Sequence, residues 1–119
     1  MNANYQDIAG PHGLLARRLQ FHGNSMWAER CTTIPTRGEL NADEYYRLTS
    51  DFLAANGRDM YVVYSYITPI AWGLVGEPAY CVAQRFSVTS SKHQGYTRAW
   101  INHSPGFAAY RAERERLGV

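Results

Sequence analysis

The sequence predicts an α+β fold, in which a small antiparallel sheet of three or four strands carries two or three helices packed mainly on one face. Two observations support this class. Three short runs, at 25–31, 61–67 and 80–88, have the β-branched and aromatic content or the alternation expected of strands. Two other segments, 42–55 and 105–116, carry apolar residues at the intervals of an amphipathic helix.

The length and composition of the chain agree with a single domain over residues 1–119. The 119 residues are 45% apolar and 18% charged, a balance that excludes a disordered chain. There is no run of about 18 apolar residues, so we expect no transmembrane helix and no membrane partner. The first ten residues lack the basic and apolar regions of a secretory leader, which favours the cytoplasm.

Two interpretations of residues 5–24 stay open. Ile8 and Leu15 lie at an interval compatible with a helix, which a strand would then follow. Alternatively, Arg17–His22 forms a strand that turns back at Gly23–Asn24. We favour a short helix followed by a strand.

The segment 42–55 has the clearest helix signals in the chain. Asn41 is a suitable N-cap, and Glu44 three residues later makes an asparagine version of the capping box. Asn56–Gly57 supplies the left-handed conformation that ends a helix.

The β-rich part of the chain contains one proline that limits its place in the sheet. Pro69 cannot donate a ladder hydrogen bond, so we expect an edge strand or a β-bulge at this position. An edge strand here, or an exposed aromatic face, is compatible with a homodimer. Farther on, Tyr80, Val82 and Phe86 alternate onto one face, which predicts the strand over 80–88.

We predict neither a metal nor a cofactor. The four histidines show none of the spacings of a zinc site, and no P-loop or nucleophile-elbow motif occurs. Cys31 and Cys81 are interpreted as small hydrophobic residues rather than as a disulfide. The net charge is +2, and eleven of the twelve basic residues are arginines, the exception being Lys92. Such a small net charge does not by itself indicate nucleic-acid binding.

The least core-like stretch is SVTSSKHQ at residues 87–94. Its hydroxyls and Lys92 can bind an anion, and His93 can titrate near neutral pH. The alternative is a strand end and turn whose hydroxyls hydrogen-bond their own backbone. Lysine, histidine and glutamine rarely lie in a core, so we expect an exposed polar patch, with Ser65 and Tyr66 nearby. On that view, substituting Lys92 and His93 together leaves the fold intact.

Three motifs occur in a fixed order, GNSMWA (23–28), YVVYSYITPIAW (61–72) and FSVTSSKHQ (86–94). Together they resemble a group of small uncharacterised proteins of actinobacteria and of their phages and plasmids. Phe86 and Ser90 stand where that pattern has a tyrosine and a threonine. Compared with the compact members of that group, the chain has a helical insertion at about residues 32–58, between the first and second strands. The resemblance implies a phage or plasmid origin, a bacterial host cell and a shared small fold, and it implies no activity.

We expect a non-enzymatic binding module for a host or phage macromolecule, with a protein as the favoured partner. Aromatic residues and arginines, which dominate binding hot spots, are abundant in the chain. Exposure of the tyrosines and tryptophans separates this hypothesis from one in which they only fill the core. The residues expected at the binding surface are Tyr66, Arg85, Ser90, Ser91, Lys92, His93, Gln94 and Arg98.

Two alternatives belong to other functional classes. A nucleic-acid-binding protein would use the basic residues of the same patch together with Tyr96 and Trp100. A small enzyme would centre on His93, with Cys31 or Cys81 as its nucleophile. Ser90 and Ser91 are less suited to that role if the segment is a strand, because neighbouring residues of a strand face opposite ways.

Overall fold

The computed structural model describes residues 3–103 together with residues 112, 115 and 116. The helix predicted over 105–116 lies outside the described residues, apart from those last three positions. In the described part of the chain, no helix is both long enough and apolar enough to cross a membrane.

Five strands form one antiparallel sheet, in which each strand pairs with the next along the chain. The α+β class is therefore confirmed, but the predicted number of three or four strands is too small. Relative to the three predicted runs, the additional strands are a two-residue edge strand at 21–22 and a seven-residue interior strand at 68–74. The strands are β1 (Phe21–His22), β2 (Met26–Cys31), β3 (Met60–Ser65), β4 (Thr68–Leu74) and β5 (Tyr80–Cys81).

Three helices accompany the sheet in the described residues: α1 (Tyr5–Ile8), α2 (Ala42–Ala55) and α3 (Val88–Trp100). The bounds predicted for α2 are confirmed. The Asn41 side chain accepts the backbone N–H of Glu44 at 2.9 Å, and Asn56 ends the helix in the left-handed region. The Glu44 carboxylate does not complete the capping box, since the backbone N–H of Asn41 donates to Gln84 instead.

Helices cover both faces of the sheet, so the prediction that they lie mainly on one face is wrong. All six residues of β3 are buried. Met60, Val62 and Tyr64 point into a cluster completed by α2, whereas Tyr61 and Val63 point into a second cluster formed with α1 and α3. The near-continuous apolar run in β3 is the pattern of a strand that is covered on both sides.

The strand predicted over 61–67 ends at Ser65, because Tyr66 and Ile67 form a two-residue turn into β4. The predicted bulge is present, since the β3–β4 register shifts between Val63 and Tyr64, opposite Pro69. Among the described residues, β5 pairs with β4 at Ala71 and Trp72 and stops short of Pro69, so the outer side of β4 at Pro69 has no partner strand. A homodimer, through this edge or through an exposed aromatic face, stays a prediction.

Residues 5–24 combine the helix and the hairpin of the two interpretations. The chain forms α1, passes through turns, and then pairs Phe21 of β1 with Ala28 of β2. Between these elements lies Arg18, a buried residue whose guanidinium donates to four acceptors. They are the carbonyls of Leu74, Val75 and Ile101 and the Oδ1 atom of Asn102.

The strand predicted over 80–88 is wrong after Cys81. Residues 82–87 have no regular structure, and α3 begins at Val88. Ser87 caps this helix, because its side chain accepts the backbone N–H of Ser90 at 3.2 Å. The alternation in this segment lacks a partner strand, and the helix signal is weak because the buried face of α3 is polar. That face carries Ser90, His93, Gln94 and Thr97.

Candidate functional site

A buried network of serine hydroxyls surrounds His93 on the α3 side of the sheet. The Nδ1 atom of His93 lies 2.7 Å from Ser65 Oγ, and its Nε2 atom lies 3.2 Å from Ser25 Oγ. Ser65 Oγ also lies 2.7 Å from Ser90 Oγ, which in turn accepts from Ser87 at 3.3 Å. Four serines are thus joined through one imidazole.

Local structure explains why these groups meet. The Ser87 cap places Ser90 and His93 three residues apart in α3, on the face that covers the sheet. Ser65 is the last residue of β3 and points to the same side. Ser25 immediately precedes β2 and follows a turn at Gly23. A Cβ atom at Gly23 would come within 2.8 Å of the Met26 carbonyl oxygen, so the turn requires glycine. The three motifs noted in the sequence therefore converge on one site.

His93 is only 8% exposed, and burial lowers its pKa below the ordinary value of a histidine. The imidazole is therefore neutral at neutral pH. Two proton arrangements satisfy its contacts. Either Nδ1–H donates to Ser65 and Nε2 accepts from Ser25, or Ser65 donates to Nδ1 and Nε2–H donates to Ser25. Because each hydroxyl can donate and accept, the network can change between these arrangements without moving its heavy atoms.

The first arrangement places a base next to a serine hydroxyl, as in nucleophilic catalysis. The orienting partner of the ring is Ser65, however, where a catalytic triad has a carboxylate that stabilises the imidazolium. A hydroxyl holds the ring in place but adds no negative charge, which agrees with the lowered pKa of His93. The geometry therefore supports a positioned neutral histidine better than a strong general base.

Cysteine nucleophiles are also disfavoured by the structure. The His93 ring would have to activate the thiol, but its two nitrogens hydrogen-bond to Ser25 and Ser65 instead. Burial, followed by the hydrogen bond with Glu29, raises the pKa of Cys31 to about 12, and burial raises the pKa of Cys81. Neither thiol is activated, because a reactive cysteine needs a lowered pKa. In the chain as described, no group of three His, Cys, Asp or Glu side chains is arranged to hold a metal ion.

The β3–β4 turn lies directly beside this network and exposes two large apolar side chains. Tyr66 is 53% exposed and Ile67 is 68% exposed. Tyr66 has a φ of 55°, a conformation that glycine or asparagine adopts far more readily. Its backbone is fixed by two hydrogen bonds of 2.6 Å, one from its N–H to the Ser25 carbonyl and one from the Trp27 indole to its own carbonyl.

Aromatic stacking supports the turn from below. Trp27 stacks on Tyr64 with ring centroids 3.7 Å apart and on His22 at 5.5 Å. Next to this stack is a cavity of 310 Å³, whose apolar lining includes Trp27, Tyr64, Ile67 and the half-exposed Ile34. The turn and this cavity form one surface, which we call the turn surface and define as Trp27, Ile34, Tyr66 and Ile67.

The eight residues predicted for the binding surface occupy three different environments. Ser90, His93 and Gln94 are buried, so the prediction of a fully exposed polar patch is wrong for these three residues. The reason is that the segment is a helix whose polar side faces the sheet and finds hydrogen-bond partners there. Tyr66 belongs to the turn surface. The remaining four are exposed: Arg85, Ser91, Lys92 and Arg98.

The structure brings Tyr66 and His93 together, with ring centroids 6.2 Å apart. It places Arg85, Ser91, Gln94 and Arg98 around a separate cavity on the far side of α3. Sequence reasoning missed Ser25, Trp27, Ile34 and Ile67. The sequence did contain one signal for the turn surface. Tyr66 and Ile67 are large residues at a hairpin turn, where small or polar residues are usual.

The class of protein defined here is an α+β domain with one antiparallel meander sheet, a buried serine–histidine network and an exposed apolar turn. The chain belongs to the family of unknown function DUF8033, whose profile matches residues 33–112. The matched segment includes Ser65, Ser90 and His93 but neither Ser25 nor Trp27. No curated protein and no solved structure matches the chain.

Proposed function

We propose that this chain is a small phage- or plasmid-type accessory protein that acts in the bacterial cytoplasm as a non-enzymatic binding module. Its partner is a host or phage protein with an apolar pocket that receives Tyr66 and Ile67. The observation that carries the proposal is the exposure of these two side chains on a turn held in an unfavourable conformation.

The backbone conformation and the exposed apolar side chains of this turn lower the stability of the folded chain. A tyrosine at positive φ costs of the order of 1 kcal/mol or more relative to glycine. Exposed isoleucine and tyrosine side chains contribute little to folding, and a Gly–Asn pair would fit the hairpin better, because φ is positive at Tyr66 and not at Ile67. Strain of this kind is concentrated at binding and catalytic sites in proteins generally.

The turn is also rigid, which favours binding. Two short backbone hydrogen bonds, to Ser25 and from Trp27, fix Tyr66 before any partner arrives. A preorganised anchor loses less conformational entropy on association than a mobile one. Tyrosine and tryptophan are the residue types most enriched in binding hot spots. Below the turn, His93 and Ser65 hold the end of β3, so the network serves as its support.

A nucleic-acid-binding function is less well supported. The aromatic residues expected to stack on bases were Tyr96 and Trp100, and both pack against the core on the α3 side of the sheet. Base stacking needs exposed aromatic faces next to the basic groups. The exposed aromatic residue of the site, Tyr66, lies instead on the turn surface.

The deciding experiment compares partner capture by the natural chain with capture by the double variant Tyr66→Gly/Ile67→Asn. The protein is used as bait in an extract of the cells that naturally make it. We expect the natural chain to retain a specific partner and the variant to lose it while folding normally, because asparagine and glycine suit the turn.

A matched control removes a similar apolar area elsewhere. Tyr46 and Leu53 are 74% and 73% exposed on α2, seven residues apart, and both can be changed to glutamine. We expect this control to keep the partner. Equal capture by all three proteins, or no specific partner for the natural chain, would refute a function based on the turn surface.

A further inference from the structure

A second cavity lies between the irregular segment 82–87 and α3, away from the turn surface. Its volume is 430 Å³. Six residues line it, three from the irregular segment and three from one side of the helix: Ala83, Gln84, Arg85, Ser91, Gln94 and Arg98. One of these side chains is apolar, and none is aromatic or acidic.

The walls of this cavity are held by hydrogen bonds that do not need a ligand. The side-chain amide of Gln94 is buried and donates to the carbonyls of Val82 and Gln84, each at 3.0 Å. Arg98 donates through Nη2 to the Val82 carbonyl at 2.9 Å. These bonds fasten the irregular segment to α3. The cavity is therefore preformed, as small-molecule sites usually are.

The charge around the cavity is positive. Residues 78–112 contain no aspartate or glutamate but include four basic residues. The nearest carboxylate in the hydrogen-bond pattern is that of Glu44, and it is already engaged. Its two oxygens accept the Tyr80 hydroxyl and the backbone N–H of Ala83. The guanidinium groups of Arg85 and Arg98 therefore face a cavity without an anion among its lining residues.

Several donors at this cavity remain available. Within the described part of the chain, Arg85 makes no hydrogen bond or ion pair, and Arg98 uses only Nη2. Ser91 adds an exposed hydroxyl on the same side of α3. Planar guanidinium groups together with a hydroxyl match the oxygen atoms of a phosphate group.

The geometry points to a binding site for a small phosphorylated and hydroxylated molecule of the sugar-phosphate class, with Arg85 and Arg98 on the phosphate. The volume exceeds that of a lone phosphate ion, so the site has room for an attached polar body. The Ser91 hydroxyl is suited to a sugar hydroxyl, whereas the amide groups of Gln84 and Gln94 already hydrogen-bond within the protein and shape the cavity. None of the residues that line the cavity is aromatic, so the cavity offers no ring on which a nucleobase could stack. This argues against a nucleic-acid strand as the ligand.

Titration calorimetry of the full chain in 150 mM salt, with ribose 5-phosphate as the probe, tests this site. We expect measurable binding of ribose 5-phosphate, weaker binding of inorganic phosphate and none of ribose. The variants Arg85→Gln and Arg98→Gln should each weaken binding by about tenfold or more, because each removes a charge-assisted contact. Arg85→Gln is the safer variant, since Arg85 holds no described contact that the fold requires.

The matched control is Lys92→Gln, which removes the same charge from α3 at a position outside the cavity lining. We expect less than about a twofold change, because solvent and salt screen exposed charges. Equal losses in Lys92→Gln and Arg85→Gln would show a general charge effect and overturn the site. Failure of ribose 5-phosphate to bind, or binding of single-stranded DNA alone, would also overturn it. None of these results depends on Tyr66 or Ile67, so this test and that of the turn surface fail separately.

Discussion

Two buried polar residues on the same side of the sheet, Arg18 and His93, hold the chain together in different ways. Arg18 lies at the C-terminal end of α3, carries a charge and donates to acceptors that are 56 to 84 residues away in the sequence. His93 lies in the first half of α3, is neutral and contacts hydroxyl groups that can reverse their direction. One is a fixed clamp, whereas the other is an adaptable support beneath an exposed turn.

The difference follows from the hydrogen-bond donors and acceptors around each residue. Burial lowers the pKa of Arg18 to about 10, so the guanidinium stays protonated at neutral pH and always donates. Carbonyl oxygens only accept, so this cluster has a single hydrogen-bonding arrangement. The hydroxyls around His93 donate and accept, and Ser25 connects them to the surface. The comparison separates residues that specify the fold from residues that support a site.

The largest expected effect is that of Arg18→Met. The change leaves buried carbonyls without donors, so the free energy of unfolding should fall by about 3–5 kcal/mol, measured by urea denaturation. The neighbouring Arg17 is exposed, and Arg17→Met should change it by less than about 0.5 kcal/mol. Similar values for the two variants would contradict the assignment of Arg18 as a clamp.

Substitution of His93 should have the next largest effect. His93→Leu removes two hydrogen bonds, one of them to the buried Ser65 hydroxyl, which should cost about 2 kcal/mol. Lys92→Ala should cost less than about 0.5 kcal/mol, so a double substitution destabilises the fold through His93 alone. A double-mutant cycle with Ser65→Ala should give a coupling above about 0.5 kcal/mol. An unaltered unfolding free energy in His93→Leu would restore the exposed-patch prediction.

The pH dependence of stability provides a smaller effect with a definite sign. The folded-state pKa of His93 lies below its ordinary value of about 6.5, so the unfolded chain binds this proton first. Stability should therefore fall as pH drops below about 6.5 and level off below the folded-state pKa. The slope in this window is at most about 1.4 kcal/mol per pH unit. Subtracting the profile of His93→Gln isolates this contribution, and identical profiles would contradict it.

The smallest effect should be a gain in stability. Tyr66→Gly/Ile67→Asn relieves the positive φ at position 66 and places a polar residue at position 67, so the free energy of unfolding should rise by about 0.5–1 kcal/mol. A thermal melt can measure this change against the natural chain. A clear loss would mean that Tyr66 and Ile67 stabilise the fold, and it would remove the argument for a binding role.

Local signals explain which elements could be predicted from the sequence. For α2, the cap at Asn41, the left-handed stop at Asn56 and the apolar stripe containing Leu48 and Phe52 all lie within the segment, and its bounds are correct. Leu53, another apolar residue of this segment, is exposed. The turn after β3 was not predicted because Tyr66 is of a residue type that is enriched in strands.

The site was harder to predict because its contacts join distant segments. Tyr66, Ser90 and His93 were recognised as candidates, and Tyr66 does lie near His93, although a helix packed on the sheet brings them together rather than a paired strand. The burial of His93 depends on Ser65 and Ser25, which lie 28 and 68 residues away in the chain. No local pattern shows that a polar helix face will find such partners. For the same reason α3 was interpreted as a strand end.

The contacts of Trp27 also make its intrinsic fluorescence a reporter of the turn surface. Its indole stacks on Tyr64 and donates its N–H to the carbonyl of Tyr66, at the turn surface. Fluorescence emission of an indole depends on its solvent exposure and hydrogen bonding. Occupation of the turn should thus shift the emission of Trp27, and Trp27→Phe should abolish that shift. The chain can report binding at this surface without any added label.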